Sequence, residues 1–146
     1  MIQHAQQQVP SATFHAMDLR TLKFPDASFD AIWANASYVH ITRKELLLAL
    51  REAHRVLKPN GVLYVSMKQG DGERLIPDDR YGGVEKFWCF VQQEELETYL
   101  QEAGFTIVSS HVKHVDSTYA TNPWICVSCV SRKVSEEGKV ASNRYF

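Results

Sequence analysis

The stretch DLRTLKFPDASFDAIWANASYVHI, residues 18–41, decides the fold of this chain. It begins with Asp18, which follows ATFHAM (12–17), a short run that predicts a strand. FPDAS places a proline and an aspartate as a turn requires, and FDAIWA (29–34) predicts a second strand. Because FDAIWA is apolar on both faces, it is typical of a parallel sheet. With small residues after it, the stretch has the layout of a sheet edge that binds a nucleotide cofactor.

The strongest helix pattern in the chain follows this stretch. Apolar residues repeat at intervals of three and four from Thr42 to Leu57, Thr42 and Glu45 form a predicted capping box, and Lys-Pro-Asn-Gly ends the helix. GVLYVSM (61–67) predicts a buried strand, and Gln93–Ala103 predicts a second amphipathic helix. FTIVSSHVKH and WICVSCVSRK predict two more strands. This order predicts an α/β fold with right-handed crossovers and a mainly parallel sheet.

A long polar connection separates the buried strand from the second helix. It runs from residue 68 to about 86, contains KQGDGE and IPDDRYGG, and exceeds the usual length of a loop. We therefore regard it as a candidate functional segment. Phe-Trp-Cys-Phe at 87–90 predicts a strand or lid stem that packs aromatic area against the core. Ligands of parallel sheets bind beyond the carboxyl ends of the strands, which selects Asp18, residues 35–40 and the residues from 68 onward.

Composition indicates one domain. With 146 residues, of which 45% are hydrophobic, the chain can form a single core over residues 1–133, followed by a polar tail at 134–146. The 16 Lys and Arg and 17 Asp and Glu give a charge of −1 without a basic run, so nucleic acid is not an indicated partner. No apolar run approaches the roughly 18 residues of a membrane helix, and the first residues lack the order of a signal peptide. We therefore expect no membrane association and a cytoplasmic location.

The three cysteines predict buried thiols. Cys126 and Cys129 have CxxC spacing, but they lie in a strand-like run, where residues three apart point to opposite faces. No second pair of ligands accompanies them, and His111 and His114 also face opposite ways on a predicted strand. The sequence therefore predicts no metal site and no disulfide framework.

Three stretches together resemble a known family. MDLRTLKFPDASFDAIWANASYVHI, LREAHRVLKPNGVLYVSMK and EELETYLQEAGF, in this order, are similar to the later two-thirds of a class I S-adenosylmethionine-dependent methyltransferase (type 11-like). The resemblance spans residues 1–133 and implies a Rossmann-like sheet, mainly parallel, with an antiparallel C-terminal strand. In this family a glycine-rich turn and a ribose-binding acid precede these stretches. The first seventeen residues contain no glycine, so we expect a domain truncated at the N-terminus.

The resemblance also implies roles for particular residues. Asp18 would accept a hydrogen bond from the adenine amino group of S-adenosylmethionine, and the Leu19 backbone N–H would meet the ring. Asn35 and Ala36, just past the strand FDAIWA, would lie beside the methionine part. From its position alone, Asp18 could also be a turn-forming residue at the end of a strand.

Candidate substrate residues lie on two segments. The resemblance implies that Tyr38 and His40 face the substrate end of the cofactor. His40 has a plainer interpretation, a histidine at a helix entry with a satisfied hydrogen bond. In the long connection, Lys68, Arg80 and Tyr81 could select an acceptor, and the alternative there is a solvated polar loop.

Three functions remain open from the sequence. The first is a methyltransferase-family protein that acts on a small-molecule acceptor, impaired by the loss of the glycine-rich loop. The second is a non-catalytic α/β remnant that self-associates, and the third is one half of a split methyltransferase completed by another polypeptide. In the family sheet, two further strands join ATFHAM to FDAIWA, and we expect both to be absent here. FDAIWA would then have an unpaired edge, which predicts a homodimer or larger oligomer. The alternative is a rearranged monomer in which ATFHAM pairs with FDAIWA.

Overall fold

The computed structural model describes residues 2–115 and 122–133, and the predicted polar tail at 134–146 lies outside the described residues. The described chain contains three helices, six strands and two short 3-10 turns. In chain order they are α1 (Ile2–Gln8), β1 (Phe29–Asn35), a 3-10 turn (Tyr38–His40), α2 (Arg43–Val56), β2 (Leu57–Lys68), β3 (Glu73–Asp78), a second 3-10 turn (Asp79–Tyr81), β4 (Val84–Cys89), α3 (Gln93–Glu102), β5 (Phe105–Lys113) and β6 (Trp124–Ser131).

Four strands form the main sheet in the order β1-β2-β6-β5. β1 pairs with β2 in parallel, whereas β6 is antiparallel to both of its neighbours, β2 and β5. β1, β2 and β5 therefore run in one direction and β6 runs in the other. This arrangement confirms the α/β class and the predicted antiparallel C-terminal strand.

The core lies between one face of this sheet and the two long helices. Along β2, the side chains of Leu63, Val65 and Met67 point to the same face and have no exposed surface. They share one apolar cluster with the inward residues of the helices, which include Leu46, Ala49, Leu50 and Ala53 of α2 and Leu96 and Leu100 of α3. The periodicity read from the sequence therefore identified the buried faces of both helices correctly.

The junction between α2 and β2 differs from the prediction. Leu57 is the first residue of β2 rather than the last residue of the helix. Phe29 of β1 lies opposite Leu57 and Ala31 lies opposite Val62, so residues 58–61 bulge out of the ladder. The predicted capping box is also wrong in detail, because the Thr42 hydroxyl donates to the Glu45 carboxylate at 2.9 Å instead of capping a backbone N–H.

Two segments have a different structure from the one predicted. ATFHAM (12–17) forms no strand, and Asp18 makes only an isolated bridge to Thr21. A strand needs a neighbour for its backbone groups, and the described residues offer ATFHAM none, so the rearranged monomer is also wrong. The connection from residue 68 to 86 is not a loop, because β3 and β4 pair across it as an antiparallel hairpin. The predicted strand at Phe87 is confirmed as the end of β4.

The buried thiols predicted from the sequence are confirmed. Cys89, Cys126 and Cys129 are free and buried. On α2, His54 is partly buried and donates from Nε2 to the Arg132 carbonyl at 2.8 Å. Among residues 2–115 and 122–133, no helix is long and apolar enough to cross a membrane, and no cluster of His, Cys, Asp or Glu could hold a metal ion.

Candidate functional site

The segment that carries Asp18 is fixed by α2 rather than by a sheet. The Arg55 guanidinium donates to the carbonyl oxygens of Phe24 and Leu22, each at 2.8 Å. The Glu52 carboxylate accepts from the Leu22 N–H at 2.8 Å. These contacts satisfy backbone groups that a strand neighbour would otherwise bind. The segment that follows Asp18 is therefore held against the last turn of α2 without being part of the sheet.

The carboxylate of Asp18 is ionised and partly occupied by its own neighbour. Asp18 accepts from the Arg20 backbone N–H at 2.8 Å and from Arg20 Nε at 2.9 Å, and the guanidinium also binds its second oxygen. These hydrogen bonds lower the pKa of Asp18 to about 2. Arg20 additionally pairs with Glu45 at 2.7 Å. Asp18 remains 47% exposed, but its two oxygens already accept four hydrogen bonds from Arg20, so a ligand donor would have to displace one of them.

A cavity of about 370 Å³ opens beside this carboxylate. Its lining contains residues from three parts of the chain: Asp18, Leu19, Arg20, His40, Ile41, Thr42, Glu45 and Phe87. The structure therefore brings Asp18 and Leu19, both predicted to contact adenine, to the same cavity as His40. Leu19 also lines a second, apolar cavity of about 300 Å³, together with Trp33, Ala34, Ser37 and Tyr38.

Asn35 and Ala36 are held at the carboxyl end of β1 by Ser66 of β2. The Ser66 hydroxyl donates to Asn35 Oδ1 at 2.7 Å and accepts from the Ala36 N–H at 2.9 Å. Ala36 has φ 54°, a left-handed backbone conformation, so the chain turns sharply here. These residues line another cavity of about 310 Å³ with Lys113 and Trp124. The four residues assigned to the cofactor thus lie around separate cavities along one edge of the sheet.

Tyr38 and His40 have different environments. Tyr38 is buried, and this burial raises the pKa of its phenol far above the usual range, so the hydroxyl is neutral. His40 is exposed; its Nδ1 donates to the Phe87 carbonyl at 2.9 Å, and its ring lies 4.7 Å from that of Trp88. With Nδ1 as the donor, the neutral ring has its lone pair on Nε2. The hydrogen bond of the plainer interpretation is present, and a substrate contact remains a prediction.

The three remaining substrate candidates do not form one group. Lys68, at the end of β2, places its ammonium 4.3 Å from the Trp88 ring centroid and 5.6 Å from that of Trp124. Arg80 instead pairs with Asp78 beside the turn of the hairpin, at 2.9 Å. Tyr81 is 62% exposed on that turn. Lys68 is therefore placed at the carboxyl edge, whereas Tyr81 lies at the outer end of the hairpin.

Sequence reasoning missed Ser66, Trp124 and the contact between Trp88 and Lys68. Ser66 is the one hydroxyl within GVLYVSM, apart from the phenol of Tyr64, and only 2% of it is exposed. A polar residue near the end of a buried strand was therefore a usable signal, because buried hydroxyls need partners. Trp88 lies in the aromatic run 87–90 that the sequence singled out, but its contact with Lys68, like that of Trp124, arises only through the pairing of distant strands.

Comparisons with known proteins agree with this arrangement. Residues 1–65 match the family model described as "Methyltransferase domain". A SAM-dependent methyltransferase of Methanosarcina mazei has the same fold, with a TM-score of 0.77 over 89% of this chain and 76% of that one, at 20% identity. These two findings confirm the resemblance to class I S-adenosylmethionine-dependent methyltransferases.

Two curated members of the family are similar over part of their length. A malonyl-[acyl-carrier protein] O-methyltransferase of Erwinia pyrifoliae is 39% identical over 71 residues, 48% of this chain and 26% of that protein. A 2-methyl-6-phytyl-1,4-hydroquinone methyltransferase of Synechocystis is 34% identical over 108 residues, 74% of this chain and 31% of that protein. The chain thus spans between a quarter and a third of the length of these relatives.

The described residues fit one part of the family cofactor better than another. The carboxylate of Asp18 lies at the same cavity as an apolar side chain, Leu19, which suits an adenine ring. Asn35 and the left-handed Ala36 lie at the carboxyl end of β1, where the Ser66 hydroxyl already binds the Asn35 side-chain oxygen and the Ala36 N–H. The residues before Asp18 include no glycine turn that would let the backbone approach the ligand closely. The fit is therefore better for the adenine ring than for the methionine part, to which Asn35 and Ala36 correspond by position.

Proposed function

We propose that this chain forms the adenine and methionine edges of an S-adenosylmethionine site and serves methyl transfer to a small-molecule acceptor. The observation that carries the proposal is the pair of hydrogen bonds made by the Ser66 hydroxyl. Ser66 lies near the carboxyl end of β2 and binds Asn35 and Ala36 at the carboxyl end of β1, the adjacent parallel strand. Ligands of such sheets bind at these ends. The family match over residues 1–65 supports the same assignment.

The chemistry divides between the cofactor and the protein. When bound, S-adenosylmethionine supplies a methyl group activated on a sulfonium. Asp18 accepts the hydrogen bond from the adenine amino group, and Asn35 and Ala36 orient the methionine part. His40 holds a lone pair on Nε2 that can receive a proton from an acceptor. The protein then acts chiefly by orienting the two partners and excluding water.

Calorimetric titration of the full chain with S-adenosylhomocysteine tests this proposal. We expect a binding isotherm for the parent and a loss of affinity of about tenfold for Asp18→Ala, because the adenine donor loses its acceptor. Asp30→Ala is the matched control, since Asp30 is 89% exposed and lies at the amino end of β1. Unchanged affinity in Asp18→Ala would remove Asp18 from the site. An absence of heat for the parent would exclude unaided cofactor binding.

A second candidate function is association, and the edge of β1 favours it. Within the described ranges β1 pairs with β2 alone, and Trp33 on this strand is 73% exposed. An open edge with an apolar side chain pairs readily with another strand. The occupant is a second copy of the chain, giving a homodimer, or a complementing polypeptide, giving the split enzyme.

Light scattering after size-exclusion chromatography separates these possibilities. We expect a mass twice 16.7 kDa for the parent and a return toward 16.7 kDa for Trp33→Glu, which places a charge at the edge. Leu75→Glu is the matched control, because Leu75 is 61% exposed but lies on the hairpin. A parent mass of 16.7 kDa at every concentration would contradict the homodimer. Cofactor binding that requires a second polypeptide would then support the split enzyme.

A further inference from the structure

The ammonium of Lys68 lies in what we call the tryptophan notch, formed by Lys68, Trp88 and Trp124. Lys68 ends β2, Trp88 lies on β4 and Trp124 begins β6, so three strands meet at this point. The ammonium is 4.3 Å from one ring centroid and 5.6 Å from the other. Aromatic faces attract a cation, but they do not neutralise its charge. The notch therefore holds a positive charge at the carboxyl edge of the sheet.

No acidic partner for this charge is found in the part of the chain that the structure describes. Among residues 2–115 and 122–133, Lys68 makes no ion pair and no hydrogen bond through its ammonium. The charge of Asp78 raises the pKa of Lys68, but the Asp78 carboxylate already pairs with Arg80 at 2.9 Å and with Lys86 at 3.2 Å. Partial burial lowers the pKa of Lys68, and the nearby Arg80 charge lowers it further.

A partly buried cation without a counter-ion destabilises the folded chain unless something binds it. We propose that the Lys68 ammonium binds an anionic group, a carboxylate or a phosphate, carried by the methyl acceptor. This inference rests on the proposed function, since it names the acceptor of that site. A charge-assisted hydrogen bond to the ammonium would supply the missing partner.

The position of the notch relative to His40 supports an acceptor rather than an unrelated anion. Trp88 contacts both groups, with the His40 ring 4.7 Å from its ring and the Lys68 ammonium 4.3 Å from its centroid. The Lys68 ammonium and the His40 ring therefore lie against the same tryptophan, close enough for one acceptor molecule to reach both. His40 lines the same cavity as Asp18, the residue assigned to adenine. The anchored acceptor thus lies at the edge assigned to the cofactor.

Three small probes test the inference on the full chain. Benzoate and phenyl phosphate are anionic and differ in the group that they present, whereas benzamide is the neutral counterpart of benzoate. We follow binding by calorimetry and by the fluorescence of the tryptophans. We expect both anions, or one of them, to bind about tenfold more tightly than benzamide. Tighter binding of benzoate assigns a carboxylate acceptor, and tighter binding of phenyl phosphate assigns a phosphate.

Variants of two lysines on the same strand locate the effect. Lys68→Met keeps the aliphatic stem and should lower anion affinity by about tenfold without changing benzamide binding. Lys68→Arg retains the charge and should recover part of the loss. Lys58→Met is the matched control at the opposite end of β2, where Lys58 is 48% exposed and pairs with Asp30. Lys68→Gln provides a second neutral variant, with circular dichroism to show that each variant folds.

The outcomes separate this inference from the proposed function. Equal binding of benzoate and benzamide, no binding of either anion, or unchanged anion affinity in Lys68→Met would each overturn the inference. If S-adenosylhomocysteine binds the same sample, the proposed function stands despite that result. If the anions bind through Lys68 but S-adenosylhomocysteine does not bind, the anion site stands and the proposed function is overturned.

Discussion

The two faces of the four-stranded sheet differ in what they contribute. On the face toward α2 and α3, Leu63 and Val65 of β2 are fully buried. On the opposite face, Tyr64 is only partly buried, and Trp33 beside it is 73% exposed, with the two rings stacked at 3.9 Å. The helix-covered face therefore supplies the fold's stability. The open face and the carboxyl edge next to it carry the groups available to ligands and partners.

The largest expected effect lies on the helix-covered face. Leu50 of α2 is fully buried in the core cluster, so Leu50→Ala should lower the free energy of unfolding by about 2–5 kcal/mol through loss of contacts and formation of a cavity. Urea denaturation followed by circular dichroism measures the loss.

Leu48 on the same helix is the matched control for this substitution. It is 53% exposed, so Leu48→Ala should change the free energy of unfolding by no more than about 0.5 kcal/mol. Equal losses for the two leucines would contradict the assignment of the buried face of α2.

The next effect concerns Gly104, which joins α3 to β5. Its φ is +106°, and a Cβ added there would lie 2.6 Å from His54 Nε2. Gly104→Ala should therefore destabilise the chain by about 1–3 kcal/mol through backbone strain, and crowding of the imidazole adds to this loss. Urea denaturation of the variant measures the total.

Gly72→Ala separates the two contributions at Gly104. Gly72 also has a left-handed φ, +78°, but nothing lies within 4 Å of its added Cβ. The loss in free energy of unfolding caused by Gly72→Ala should therefore come from backbone strain alone. The substitution His54→Ala should reduce the loss caused by Gly104→Ala, and a full loss in that background would exclude the steric contact.

A smaller effect is expected on the open face. Trp33 stacks on Tyr64 with the ring planes 12° apart, but most of its surface faces solvent. Trp33→Ala should lower the free energy of unfolding by about 0.5–1.5 kcal/mol, the contribution of an aromatic pair. Denaturation at one fixed protein concentration measures it, with Tyr64→Leu and the double variant completing a mutant cycle. If Trp33→Ala lowered the free energy of unfolding as much as Leu50→Ala does, the two faces of the sheet would contribute equally to stability, which would contradict this comparison.

Helices and strands with strong periodicity were predictable from the sequence. The apolar repeats of α2 and α3 identify their inward faces, and FDAIWA and GVLYVSM became the paired strands β1 and β2. ATFHAM has a strand pattern but no strand, because a strand is defined by a partner that local sequence does not contain. The hairpin of β3 and β4 was not predicted, because its charged residues, Pro77 and the flanking glycines give this segment the composition of a loop.

The contacts of the candidate residues were not predictable, although the ends of two strands were. The rule that ligands bind beyond the carboxyl ends of strands selected Asn35 after β1 and Lys68 at the end of β2, but it selected Asp18 after a strand that does not form. The contacts that define the site join residues far apart in sequence. Ser66 meets Asn35 across 31 positions, and His40 meets Phe87 across 47. Such pairs follow from strand order and hairpin placement, which the sequence does not encode locally.

The smallest expected effect is the pH dependence contributed by Asp18. Arg20 lowers the pKa of Asp18 in the folded chain to about 2, below the ordinary value of 3.8, so folding favours the ionised carboxylate. The resulting stabilisation is fully present above pH 3.8 and is lost as the pH falls from 3.8 to about 2. The parent should therefore be more stable than Asp18→Asn at about pH 6, and the difference should vanish near pH 2. Urea denaturation across this range measures it.

Salt and a second carboxylate variant show whether the effect is that of the Asp18–Arg20 pair. Both side chains are more than 40% exposed, so added salt should reduce the difference between the parent and Asp18→Asn near neutral pH. Asp30→Asn, on the 89% exposed residue of β1, controls for the loss of one surface carboxylate. A difference that persists at about pH 2 would show that the substitution disturbs the turn itself. In that case the segment before β1 also stabilises the fold. Stability would then not come from the helix-covered face of the sheet alone.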